Sequence, residues 1–165
     1  MKINDDHMYH GAALTQVAEH PSFKAINAFS PNSVRSRSGF LINTDVGLYL
    51  KYASDPKGAY HEFIFTFLRS HLEELELLKE KTDSVFIGLI CISKRQICCL
   101  SYATLLSMIK TRKRMKGGDE ESYTVLVTLK KGQRFRVYMS PPGEKKQKIS
   151  EQIIPRDDFP SCIFS

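Results

Sequence analysis

Apolar and polar positions alternate along some stretches of this chain and recur at helical spacing along others, and the changes of period mark out its elements. Asp6 is placed to cap a helix running to about His20, where Pro21 stops it, and the small residues of "GAAL" suit close packing. After the loop "AFSPNSVRSRS", "GFLIN" reads as a strand and "TDVG" as a turn. "LYLKYA" is then its hairpin partner, with Leu48, Leu50 and Tyr52 alternating against Tyr49 and Lys51. Across the turn "SDPKGAY", the segment "HEFIFTF" puts Phe63, Phe65 and Phe67 on one face and Glu62, Ile64 and Thr66 on the other. "LRSHLEELELLKEK" carries Leu68, Leu72, Leu75 and Leu78 as the apolar stripe of a helix, with its glutamates mostly outside it.

"SVFIGLICI" then reads as a buried strand, "SKRQ" as a tight turn, "ICCLSY" as a hairpin partner and "ATLLSMIKT" as a short amphipathic helix. A basic connector, "KTRKRMKGGDEE", leads to a last hairpin in which "SYTVLVTL" and "RFRVYMS" flank "KKGQ". The expected fold class is therefore α+β, an αβββαβ core followed by a strand, a helix and a C-terminal hairpin. Residues 1–140 are expected to form a single domain. Residues 141–165, rich in proline and lysine, are expected to be a tail packing on it.

Composition narrows the class without choosing a function. A chain of 165 residues with 42% hydrophobic and 25% charged content can bury one core without metal or disulfide support. The start, "MKINDDHMYHGAALTQ", lacks the basic and apolar regions of a signal peptide, and no stretch approaches the roughly 18 apolar residues of a membrane span. A soluble cytoplasmic protein with no membrane partner is expected. Cys91, Cys98, Cys99 and Cys162 lack the paired spacing of a zinc site and are expected to be buried, reduced thiols.

Charge does change the picture. The net charge is +6, yet between Lys110 and Lys148 twelve lysines and arginines face four acids, so the positive excess lies in the last third of the chain. Such a concentration suits an anionic polymer, with DNA preferred over RNA as the expected partner. Arg112, Lys113, Arg114 and Lys116 on the connector, and Lys130, Lys131, Arg134 and Arg136 on the hairpin, are the candidate nucleic-acid-binding residues.

The order helix, three strands, helix, strand over about residues 6 to 93 resembles the core of the restriction-endonuclease-like superfamily, the PD-(D/E)XK nucleases. The resemblance implies an aspartate at a strand's start and an acid-x-lysine triplet that together hold a divalent metal, which activates water while the lysine stabilises the charged transition state. Asp45 matches the aspartate and Lys51 the lysine. Tyr49 occupies the acid's place, and a phenol is a poor ligand for Mg²⁺. A relocated acid would have to come from Glu62 on the next strand, as metal ligand with Asp45, or from Glu19 on the first helix, where some members of the family place an additional acid. The candidate catalytic set is thus Asp45, Lys51, Glu62 and Glu19, with Mg²⁺ as cofactor if the chain is catalytic and no cofactor otherwise.

Each of these residues also has an ordinary structural role. Aspartate favours turns, a lysine alternating with apolar residues commonly marks the solvent face of a sheet, and polar residues at a helix end are usually solvated. His7 and His10 share a helix face, but nothing nearby completes a metal set. No phosphate-binding glycine loop, nucleophile elbow or HExxH motif is present. The function expected is that of a small nucleic-acid-associated protein with a nuclease-like fold, a non-catalytic subunit of a prokaryotic defence or mobile-element system. The alternatives are an active Mg²⁺-dependent endonuclease and a protein-interaction module or homodimer that docks through the helix at 68–81 or a strand edge near 123–139.

Overall fold

The computed structural model describes residues 1–144 and 147–165 and folds them into a mixed α+β architecture of two sheets and three α-helices. Helix α1 (Asp5–Ala18) is capped by Asn4 rather than Asp6. The Asn4 side chain accepts from the His7 N–H at 2.9 Å while His7 Nδ1 accepts from the Asn4 N–H at 3.1 Å, so two otherwise unpartnered donors of the first turn are satisfied reciprocally. That leaves the Asp6 carboxylate free for tertiary contacts. His10, Ala13 and Val17 form the buried face of the helix.

The first sheet is built from β1 (Ile26–Ala28), β2 (Gly39–Ile42), β3 (Val46–Ala53), β5 (Ser84–Cys91) and β6 (Gln96–Ser101), neighbours in that order. The second is β4 (Phe63–Leu68), β7 (Ser122–Thr128), β8 (Phe135–Met139) and β9 (Ile149–Ile154), all antiparallel. Strands β3 and β5 are parallel, joined by a crossover that runs through β4 and helix α2 (Arg69–Lys81). Both faces of the first sheet are covered. Ala13 and Val17 of α1 pack with Leu48, Leu50, Ile90, Phe159 and Ile163 on one side. Leu75 and Leu78 of α2, Leu105 and Met108 of helix α3 (Tyr102–Lys116), and the inner face of the second sheet close the other. This double coverage explains why β3, which alternates in sequence, is buried on both faces from Val46 to Leu50. Gly47 lets α2 approach it, because a Cβ there would come within 2.6 Å of Leu78 Cγ.

Several expectations need correction. "HEFIFTF" is a strand, but as β4 it lies in the second sheet: β3 is already flanked by β2 and β5, so no edge remains for it. The three sequential strands that precede α2 on the first sheet are β1, β2 and β3, the first lying in the stretch from Pro21 into the start of the loop "AFSPNSVRSRS", where the periodicity predicts no element. Most of the basic connector is helical, since α3 runs to Lys116 and ends on Gly117, whose φ of 88° closes the helix in the left-handed conformation. The segment read as a tail supplies β9 and two core residues, Phe159 and Ile163. Cys99 and Cys162 form a disulfide, while Cys91 and Cys98 are free and buried, so two of the four cysteines depart from the expected reduced state. Among the described residues, no helix is long and apolar enough to cross a membrane.

Candidate functional site

At the C-terminal half of β3, four parts of the chain meet around a cleft of about 420 Å³: α1, the loop preceding β2, β3 itself and the first turns of α2. Lys51 projects from β3 into it, on the same face as Tyr49. Its Nζ lies 5.0 Å from the centroid of the Phe67 ring and 3.2 Å from His71 Nδ1. The Leu68 N–H donates to the same His71 nitrogen at 3.2 Å, capping α2. Two donors converge on Nδ1, so the neutral ring carries its proton on Nε2.

Lys51 forms no salt bridge among the described residues. Burial without a carboxylate partner pulls its ammonium down to about 8. Burial, with the Lys51 charge adding to it, also lowers the His71 imidazole from its ordinary value.

Both carboxylates that line the cleft are committed to neighbours. Asp6 Oδ2 accepts from Arg37 Nε and Nη2 at 3.1 and 2.9 Å, and its Oδ1 accepts from the Tyr52 hydroxyl at 2.9 Å. Burial raises the Asp6 carboxyl, but these hydrogen bonds outweigh it and leave the group below its ordinary value. Glu74 Oε1 accepts from the Tyr49 hydroxyl at 3.0 Å. The phenol, buried and facing this carboxylate, is held protonated far above its ordinary range. Arg35, exposed on the rim, takes part in no ion pair among the described residues. Lys51 and Arg35 are therefore the cations that line the cleft without an ion-pair partner among the described residues, while Glu74 is engaged through one of its two oxygens.

Of the four residues expected to act together, only Lys51 lies here. Asp45 is exposed in the turn before β3, and its carbonyl accepts from the Asp83 N–H. At about 3.3 Å per residue it stands roughly 20 Å from Lys51 along the strand. Glu19 caps the C-terminal end of α1, the end opposite Asp6. Glu62 precedes β4, bridges in backbone register with Lys57 and accepts the Tyr138 hydroxyl. The expected Mg²⁺ set of Asp45 and Glu62 is thus split between two sheets. Among the described residues, no group of three or more His, Cys, Asp or Glu side chains suited to a metal ion forms. These residues do not fit the family's metal site.

The expected nucleic-acid-binding residues divide in two. Arg112 is internal: its Nε and Nη2 donate to Glu120 at 3.0 and 3.2 Å, and its Nη1 donates to the Ser140 carbonyl. Lys113 pairs with Asp119 at 3.0 Å and Arg136 with Glu151 at 2.9 Å. Arg114 and Lys116 are exposed at the end of α3, whereas Lys130, Lys131 and Arg134 are exposed on the β7–β8 turn. The length of β7, roughly 20 Å, separates the two groups. Lys145 and Lys146, counted in the basic third, lie outside the described residues.

Asp6, Arg35, Arg37, His71 and Glu74 were absent from the expected site. The spacing of His71 and Glu74 on one face of a strongly periodic helix was the available signal, since residues three apart are neighbours there. Comparison with protein-family models, with curated proteins and with solved structures finds no match for this chain.

Proposed function

We propose that this is a nucleic-acid-associated protein on a nuclease-like scaffold, in which the Lys51 cleft holds a backbone phosphate and does not hydrolyse it through a metal. The observation that carries this reading is that Lys51 and Arg35 line the cleft without an ion-pair partner among the described residues, while Asp6 is held on both oxygens and Glu74 on one. An arrangement of donors in a partly desolvated cleft favours an anion. The chain order α1, β1, β2, β3, β4, α2, β5 contains the helix, three strands, helix and strand of the PD-(D/E)XK core, with β4 diverted into the second sheet between β3 and α2. The five strands of the first sheet, ordered as in the chain, support the resemblance. Tyr49 in the triplet's acid position, with its hydroxyl held by Glu74, supports binding without metal-dependent cleavage. Exposed cations at Arg114, Lys116, Lys130, Lys131 and Arg134 would draw the polymer to the surface without reading its sequence.

Fluorescence anisotropy with labelled single-stranded and duplex oligonucleotides, with and without Mg²⁺, tests the reading. Wild-type protein binds and leaves the oligonucleotide intact when Mg²⁺ is added, and Lys51→Met weakens binding about tenfold or more. Binding that is indifferent to Lys51→Met and Arg35→Ala, or cleavage that requires Mg²⁺, refutes it.

A further inference from the structure

Lys51 is an unusual choice for simple phosphate binding. Arginine keeps its charge in a desolvated cleft and offers a planar fork, whereas a buried lysine is readily neutralised. Here the amine sits over the Phe67 ring with no carboxylate partner among the described residues, and its nearest polar neighbour, His71 Nδ1 at 3.2 Å, is a proton acceptor. The titratable and charged groups around it are His71 and Glu74 from α2, Tyr49 and Tyr52 from β3, Asp6 and His10 from α1, and Arg35 and Arg37 from the loop. Both acids among them are held by other donors, so neither anchors the ammonium. A desolvated lysine freed from ion pairing in an anion-binding cleft is the chemistry of an amine nucleophile.

Resting on the phosphate-binding reading above, we propose that Lys51 condenses with the sugar aldehyde of an abasic site in nucleic acid to form a Schiff base. The Lys51 ammonium first loses its proton, with His71 Nδ1 as the nearest acceptor. The nitrogen lone pair then attacks the C1′ aldehyde carbon, a C–N bond forms and the carbonyl electrons move to oxygen. The carbinolamine oxygen takes up a proton and leaves as water, which gives the iminium. No oxidant or reductant is consumed. Arg35, on the rim of the cleft, would hold a flanking phosphate during the step. A pKa of about 8 supports the assignment, since a useful fraction of the amine is neutral near pH 7.

Borohydride trapping tests it. The full-length protein is incubated with an oligonucleotide carrying one abasic site, reduced with sodium borohydride and resolved under denaturing conditions, with glyceraldehyde 3-phosphate run in parallel as a free sugar phosphate. The proposal predicts a covalent oligonucleotide adduct that maps to Lys51 in the wild-type chain. The adduct is lost in Lys51→Arg and Lys51→Met and kept in Lys94→Arg, and its yield rises toward pH 8 and levels off above it. Peptide mapping of the wild-type adduct decides the matter even where a Lys51 variant folds poorly. No adduct, an adduct on Lys130 or Lys131, or an adduct with glyceraldehyde 3-phosphate but none with the oligonucleotide overturns the proposal. Undiminished anisotropy with the intact oligonucleotide then shows that only the Schiff base has failed, while loss of all binding removes the phosphate-binding reading as well.

Discussion

Burial of the Lys51 charge costs folding, while on the proposed reading the same charge would serve binding, and its titration separates the two. Because burial lowers its pKa from 10.5 to about 8 in the folded chain, the unfolded chain binds more protons between those values. Stability therefore rises with pH across that window, and the full cost of the buried charge is present below about pH 8. Lys51→Met is predicted to stabilise the protein at pH 7 by about 1–2 kcal/mol, after discounting for the solvent-screened part of the group, and to give little gain near pH 11. Urea denaturation at the two pH values checks this. An equal effect at both, or a loss at pH 7, contradicts the desolvation argument. Phosphate affinity should fall as pH rises through about 8, since the ammonium that binds the anion is then lost.

Among the elements, the contact between α2 and β3 positions the cleft, because α2 carries His71 and Glu74 to the strand that carries Tyr49 and Lys51. Gly47→Ala should push Leu78 away and cost about 1–3 kcal/mol in chemical denaturation; an unchanged midpoint would mean that α2 yields without strain. Arg112, half-buried with its guanidinium fully engaged, is predicted to matter for folding rather than for binding. Arg112→Ala should destabilise by about 1–3 kcal/mol, leaving Glu120 short of partners, with oligonucleotide affinity little changed. A selective loss of affinity would return Arg112 to the binding surface.

The helices were legible because their apolar spacing names a buried face, and β3 because its alternation is clear. Alternation does not name a strand's neighbours, however, so Phe63, Phe65 and Phe67 announced β4 without saying which sheet it joins. With three residues, β1 is too short to carry a period, and β9 follows a stretch rich in proline and lysine that masks it. The site divides in the same way. Lys51 stands out on its strand, but Asp6, Arg35, His71 and Glu74 come from three other parts of the chain and meet only through the packing of α1 and α2 on opposite faces of one sheet.

Across the whole molecule, the disulfide ties the C-terminal segment to β6 and so fixes Phe159 and Ile163 beneath α1. Thiol titration of the denatured, unreduced protein should count two free cysteines, Cys91 and Cys98, and reduction should lower stability by about 2–4 kcal/mol. Four titratable thiols would contradict the bond. The distribution of charge matters more than its total of +6. Three of the eight expected phosphate contacts, Arg112, Lys113 and Arg136, are neutralised by neighbours, and the remaining five lie at two ends of the second sheet. On the proposed reading, long-range attraction would come from scattered surface cations, while close contact would fall to the cleft on the first sheet.

The central claim is that the Lys51 cleft contacts the phosphate backbone, and the salt dependence of binding tests it most directly. Log affinity for a single-stranded oligonucleotide is measured against log salt for wild type, for Lys51→Met with Arg35→Ala, and for a Lys130, Lys131 and Arg134 triple alanine variant. Each phosphate no longer neutralised flattens the slope by about 0.7, so the cleft variant, which loses its one bound phosphate, should flatten it by about 0.7. A cleft variant with the wild-type slope, beside a flattened hairpin variant, would place the phosphate contacts on the β7–β8 turn and contradict the account.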